Sequence, residues 1–213
     1  GKPPFKDIFL HAMVRDSHGR KMSKSLGNAI DPIDVINGIS IDDLIGKTKL
    51  YPVPQSHLPK VLSGIKKDFP SGIPSSGADG LRLSLAIFSG QGSDVKFSVP
   101  RVTGYRAFLN KVWNATRFAL MNVDCDDAIS IEEAKQNLST PDKFILSQLT
   151  KAIKKVEEHI NNYKFSEAAE TIYQFFWTQY CDQYIECAKV DFRLGSKESQ
   201  KVTGSVLLHL LDC

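Results

Sequence analysis

The sequence predicts an α/β segment that gives way, near residue 100, to a mostly α-helical bundle. Three observations carry that expectation. An apolar-rich stretch, Ile8 to Val14, runs straight into a polar, basic loop from Arg15 to Asn28, as a buried strand feeding a loop would. Five of the ten prolines fall between Tyr51 and Ser76, so no long element is expected to cross that region. Beyond residue 100, apolar residues recur at helical spacing in one stripe after another.

Taken in order, Asp31-Pro32 is an N-cap followed by proline at the first helical position. A short helix is expected between Pro59 and Asp68. In Gly77 to Ser89, Leu81, Leu83, Leu85 and Ile87 alternate as in a strand, but Ala78, Leu81, Leu85 and Phe88 fit a helical period, and a buried helix is expected. Val102, Tyr105, Leu109, Val112, Trp113, Thr116 and Leu120 would form one face of a long helix, which puts Trp113 in the core. Thr140 reads as the cap of the next helix, with Pro141 after it and an apolar stripe of Ile145, Leu149, Ala152, Ile153, Val156, Ile160 and Tyr163. Ser166 would cap a third helix, whose aromatic run from Tyr173 to Tyr184 suits a bundle core better than a base-stacking platform. A fourth starts near Glu198; its stripe from Val202 to Leu211 is expected to lack its full set of partners, favouring self-association or marginal stability.

Composition bounds the rest. With 213 residues, 42% hydrophobic and 24% charged, the chain is long enough for a real core in one or two domains. A net charge of +3 means that any nucleic-acid contact must come from local basic patches. No apolar run approaches a membrane span, and the opening Gly1-Lys2-Pro3-Pro4-Phe5 is no signal peptide; without an initiating Met, the chain is expected to begin mid-protein. Cys125, Cys181, Cys187 and Cys213 form no CxxC pair and have no His at metal-finger spacing. Cys181 and Cys187 lie about 240° apart around a helix. No metal site is expected, and reduced thiols in a cytoplasmic setting are.

The chemistry-bearing candidate is Lys21-Met22-Ser23-Lys24-Ser25, flanked by Arg15 and Arg20 and hinged by Gly19 and Gly27. Alone, such a pentapeptide reads as a solvated basic loop. Placed after a strand, it would let two ammonium groups and two hydroxyls close over a polyphosphate and neutralise charge on a leaving group. Gly46-Lys47-Thr48 lacks the earlier glycine of a phosphate loop, since position 41 is Ile. The histidines are scattered, and Asp124 to Asp127 reads as a solvated turn.

The run Asp16-Ser17-His18-Gly19-Arg20, the pentapeptide and Leu26-Gly27-Asn28-Ala29-Ile30-Asp31-Pro32 together resemble the signature loop of class I aminoacyl-tRNA synthetases. Lys67 to Pro74, followed by Gly77-Ala78-Asp79-Gly80-Leu81-Arg82, is similar to the segment after that loop in valyl-tRNA synthetases. Gly104-Tyr105-Arg106 with Asn110 to Thr116, and Phe176-Trp177 with Tyr180 to Glu186, resemble helices of the anticodon-binding domain of the valyl, isoleucyl and leucyl group. The resemblance spans nearly the whole chain. Gly80 and Gln183 depart from the family pattern, which has Ala and Trp there, and the HIGH-type tetrapeptide and editing insertion are absent.

The resemblance implies the C-terminal part of a Rossmann-type class I catalytic domain over 1–99, followed by a truncated anticodon-binding helical bundle over 100–213. It implies ATP with magnesium, valine and tRNA(Val) as partners, with isoleucine the alternative amino acid, or else a non-catalytic RNA-binding module. Lys21 and Lys24 would be catalytic, with Lys21, Met22, Ser23, Lys24 and Ser25 binding ATP. Holding half of the ATP site, the chain alone is expected not to activate an amino acid. Arg106, Lys111, Asn114 and Arg117 are candidate tRNA contacts; Arg106 and Arg117 lie about three helical turns apart and project in similar directions.

Overall fold

The computed structural model describes residues 3–90 and 94–213, apart from the side chain of Cys125, so the expectation of a reduced thiol at Cys125 lies outside it. The chain divides into two compact units, one of residues 1–107 with 163–166 and one of residues 108–162 with 167–213. No helix among the described residues is long and apolar enough to cross a membrane.

In the first unit, β1 (Val14–Arg15) pairs in parallel with β2 (Val95–Lys96), Val14 opposite Val95. The buried strand expected over Ile8 to Val14 does not form. Only its end joins the ladder, with Val14 paired and the Met13 carbonyl accepting from the Val95 N–H at 2.9 Å, and Ile8 and Leu10 are 86% and 83% exposed. A strand needs a neighbour for its N–H and C=O groups, and among the described residues only the two-residue β2 offers one.

Four helices come next: α1 (Pro32–Asn37), α2 (Ile41–Lys49), α3 (Leu58–Asp68) and α4 (Gly77–Phe88). Asp31 caps α1 by accepting from the Ile33 N–H at 2.9 Å, as expected. Ile39 and Ile73 exchange backbone hydrogen bonds of 2.8 and 2.9 Å, tying the exit of α1 to the approach to α4. The Gly77–Ser89 stretch is indeed helical, with Leu81, Ile87 and Phe88 buried. The outliers are Ala78 and Leu85, both exposed, while Ser84 is buried and donates to the Gly80 carbonyl at 2.6 Å.

A long helix, α5 (Val99–Asn122), starts in the first unit and ends in the second. Its buried face is Val102, Phe108, Ala115 and Ala119, rotated from the expected one. Trp113 is 73% exposed and Leu120 54%, so neither is a core residue. The expectation rests on the large side chains, whereas in the second half of the helix the buried residues are the small Ala115 and Ala119.

The second unit continues with α6 (Ile131–Ala134) and α7 (Thr140–Asn161). The cap of α7 is Ser139, not Thr140: the Ser139 hydroxyl accepts from the Asp142 N–H, and the Asp142 carboxylate accepts from the Ser139 N–H at 2.8 Å. This reciprocal box requires the acidic residue three positions on, which only Ser139 has. Ile145 and Leu149 are buried, whereas Ile153 and Ile160 are exposed, so the stripe is covered only in its first half.

Next, α8 (Phe165–Gln174) passes through a π-helical stretch (Phe175–Tyr184) into α9 (Ile185–Leu194). Ser166 lies inside α8 rather than capping it; its hydroxyl donates to the Ile87 carbonyl at 2.6 Å. The aromatic run is core, as expected, with Phe175, Tyr180 and Tyr184 buried. The last helix, α10 (Lys197–Asp212), buries Val202, Val206, Leu207 and Leu210. Its stripe is therefore covered within the chain, contrary to the expectation that it lacks its full set of partners: Ala119, Ile145, Tyr184 and Ala188 share its core.

Candidate functional site

The Arg15–Asn28 loop is built around one carboxylate. Asp16 is 6% exposed. Its Oδ1 accepts from the backbone N–H groups of His18 at 3.0 Å and Arg20 at 2.8 Å. Its Oδ2 accepts from Arg20 Nε at 2.8 Å and Asn28 Nδ2 at 2.9 Å. Burial alone raises the Asp16 carboxyl, but the donors on Asn28 and Arg20 outweigh it and hold it below the ordinary carboxylate value.

Asn28 carries the order outward. Its Oδ1 accepts from the Ser23 N–H at 3.0 Å, and its Nδ2 also donates to the Lys21 carbonyl at 3.2 Å. From Ser23 the chain makes a single 3₁₀ turn, Lys24–Leu26, where the Ser23 hydroxyl accepts from the Leu26 N–H at 3.2 Å and lies 3.1 Å from the Ser25 hydroxyl. Gly27 ends the turn with φ +69°. A Cβ there would stand 2.6 Å from Val61 Cγ1, so position 27 needs glycine twice over.

The cations of this region divide sharply. Arg15 pairs with Asp94, Arg20 with Asp16, and Lys47 with Asp34 at 2.7 Å and Asp31 at 3.2 Å. Lys47 thus serves as a tie between α1 and α2, which agrees with the rejection of a phosphate loop there. Among the described residues, neither Lys21 nor Lys24 forms an ion pair, and both are exposed. Lys24 Nζ lies 6.0 Å from the Tyr51 ring centroid. Ser25 is exposed, while Met22 and Ser23 are half-buried. The loop thus presents two exposed ammonium groups and a hydroxyl on a base fixed by hydrogen bonds. Sequence reasoning finds the pentapeptide but misses the parts that hold it, Asp16 and Asn28, although both stand in the same motif.

Two family models match the chain. One, described as "tRNA synthetases class I (I, L, M and V)", covers residues 1–98 and so contains the loop; the other, "Anticodon-binding domain of tRNA ligase", covers residues 142–212. Over residues 1–98 the chain belongs to the class I tRNA synthetases. It is 44% identical over 215 residues to the valine–tRNA ligase of Neisseria meningitidis serogroup B, 42% over 212 to that of Laribacter hongkongensis and 38% over 212 to that of Xanthomonas axonopodis pv. citri. Each match takes in 100% of this chain but only 22–23% of the relative, so the chain spans under a quarter of the length of these curated relatives. The fold is also similar to that of Agrobacterium radiobacter LeuRS, solved as a LeuRS–tRNA–LeuAMS ternary complex, with a TM-score of 0.56 and 22% identity over 97% of this chain and 20% of that one.

For a class I synthetase, the four candidate tRNA contacts sit in different surroundings. Arg106 donates to the Ser75 carbonyl within the first unit. Lys111, in the second, is held by Asp182 at 2.6 Å and lies 3.8 Å from the Trp177 ring centroid, which itself stacks on Tyr173. Asn114 and Arg117 are exposed, and among the described residues Arg117 forms no ion pair. Trp113, 73% exposed, adjoins Asn114 and stands four residues before Arg117 on α5, where side chains four apart share a face.

Proposed function

We propose that the chain is a segment of a cytoplasmic valine–tRNA ligase, an enzyme that activates valine with ATP and transfers it to tRNA(Val). Residues 1–99 would form the C-terminal part of its Rossmann-type catalytic domain, and 100–213 part of its anticodon-binding bundle. The observation that carries the reading is the pair of exposed ammonium groups, Lys21 and Lys24, which form no ion pair among the described residues on a loop whose Arg15 and Arg20 are paired. Valine is favoured over other amino acids of the class by 38–44% identity to valine–tRNA ligases along the entire chain.

In the reaction the valine carboxylate attacks the α-phosphate of ATP, forming valyl-adenylate and releasing pyrophosphate. Lys24, supported by Lys21, meets the negative charge that builds on the leaving pyrophosphate; Ser25 offers a hydroxyl donor, Ser23 shapes the turn, and Met22 lies between the ties at Lys21 and Ser23. A fixed donor of this kind is worth about 3–4 kcal/mol of transition-state stabilisation. Magnesium is expected to arrive with ATP, on its phosphates. Asn114 and Arg117, with Trp113 beside them, are the best-presented tRNA contacts; Arg106 and Lys111 would have to reach tRNA with the donors their present partners leave free. The chain alone is expected to be inactive.

Amino-acid-dependent exchange of pyrophosphate into ATP tests the assignment, comparing this chain with the full-length protein that contains it. Exchange with valine in the full-length protein and none in the chain is expected. Exchange with isoleucine instead would change the substrate, and none with either would overturn the ligase reading.

A further inference from the structure

We propose that Asp16 and Asn28 form a clasp that sets where Lys24 stands, so that the rate of adenylate formation, more than ATP binding, depends on two residues that touch no substrate. The inference rests on the proposed role of the loop. Both are positioning residues. The clasp has two layers. The buried Asp16 carboxylate takes donors from His18, Arg20 and Asn28, which fixes the turn before the pentapeptide. The Asn28 amide, oriented by Asp16, then grips the pentapeptide at two points, the Lys21 carbonyl and the Ser23 N–H.

The grip on Ser23 fixes the phase of the 3₁₀ turn. Ser23 caps that turn, which carries Lys24, so holding its N–H settles the direction in which the Lys24 stem leaves. Beyond the turn, Gly27 packs against Val61 and Val53, which closes the loop from its other side. Lys24 itself has no ion pair to hold it among the described residues, and its Nζ stands 6.0 Å from the Tyr51 ring centroid, so its placement comes chiefly from the backbone. Breaking the clasp leaves the lysine present and charged but displaced. A displacement near 1 Å from the productive geometry costs about a hundredfold in rate.

The charge pattern within the clasp is directional. Asn28 must donate to Asp16 and Lys21 while accepting from Ser23, which an amide does and a carboxylate does not. Asn28→Asp would keep size and the Ser23 acceptor but set two carboxylates against each other.

The test is single-turnover adenylation by the full-length enzyme carrying Asn28→Ala, Asn28→Asp, Lys24→Ala and the double variant Lys24→Ala/Asn28→Ala, with ATP affinity measured alongside. Both Asn28 variants are expected to slow adenylation by about a hundredfold, with the Kd for ATP changed by less than about threefold. In the Lys24→Ala background, Asn28→Ala is expected to cost less than about threefold further, because residues acting through one group are not additive. Asp16→Asn should show the same pattern; if it fails to fold, Asn28→Ala decides, since it leaves the donors from His18 and Arg20 in place. A near-normal rate for Asn28→Asp, or a full additional loss in the Lys24→Ala background, would overturn the clasp while leaving the role of the loop intact. A normal rate for Lys24→Ala would overturn that role, and the clasp with it.

Discussion

Replacing Tyr184 by Phe removes one hydroxyl from the core of the second unit and little else. That hydroxyl donates to Asp142 Oδ1 at 2.6 Å, and Asp142, 1% exposed, is also the reciprocal partner of the Ser139 cap through Oδ2. The substitution joins two costs: a hydrogen bond to a charged acceptor, worth about 1.5–3 kcal/mol, and a buried oxygen left with no donor. The Ser139 contacts at 2.8 and 2.6 Å still neutralise the other oxygen, which keeps the loss near the middle of that range, at about 2 kcal/mol. Urea unfolding followed by tryptophan fluorescence reads this unit alone, because both tryptophans, Trp113 and Trp177, belong to it. With an m-value of about 2 kcal/mol/M, the midpoint should fall by about 1 M. A shift below about 0.25 M, with m unchanged, would refute the view that this bond ties the π-helical stretch to α7.

The same pair predicts alkaline sensitivity. Burial raises the Tyr184 hydroxyl, the Asp142 charge adds to it, and burial also raises Tyr180 and pushes the Cys181 thiol up to about 11. Groups raised in the folded state contribute fully below their unfolded values and lose that contribution as pH rises, so stability should fall above about pH 9–10, less steeply in Tyr184→Phe; identical pH profiles would contradict this. Gly27→Ala should cost at least about 1–2 kcal/mol from the left-handed backbone alone and more from the Val61 contact, seen as a lowered melting temperature of the first unit; an unchanged melt would show that the turn adjusts freely. Arg117→Ala in the full-length enzyme should weaken tRNA binding and reduce the slope of log affinity against log salt by about 1; an unchanged slope would remove Arg117 from the interface.

Local chemistry makes much of this molecule legible in its sequence. The Asp31 cap, α3, α4 and the aromatic core of the bundle arise from side chains acting on their own neighbourhoods. The errors come from interactions that reach further. Ile8 to Val14 is apolar enough for a strand, but its ladder partner is two residues long and lies some eighty positions away. Trp113 reads as a core residue from its place in the apolar stripe, whereas Ala115 and Ala119 are the buried residues there. Thr140 and Ser139 are both good caps, and only the reciprocal bond from Asp142 separates them. At the site, the pentapeptide is visible because it is chemically unusual. Asp16 and Asn28 give no such signal, because nothing in their residue types says that one is buried and that the other grips the loop.

The most direct test of the account is the rate of valyl-adenylate formation in a single turnover by full-length enzyme carrying Lys24→Ala. Loss of about 3–4 kcal/mol of transition-state stabilisation predicts a fall of roughly two to three powers of ten, with the Kd for ATP little changed. A rate equal to that of the unaltered enzyme, or a loss confined to ATP binding, would contradict the claim that this loop acts on the departing pyrophosphate.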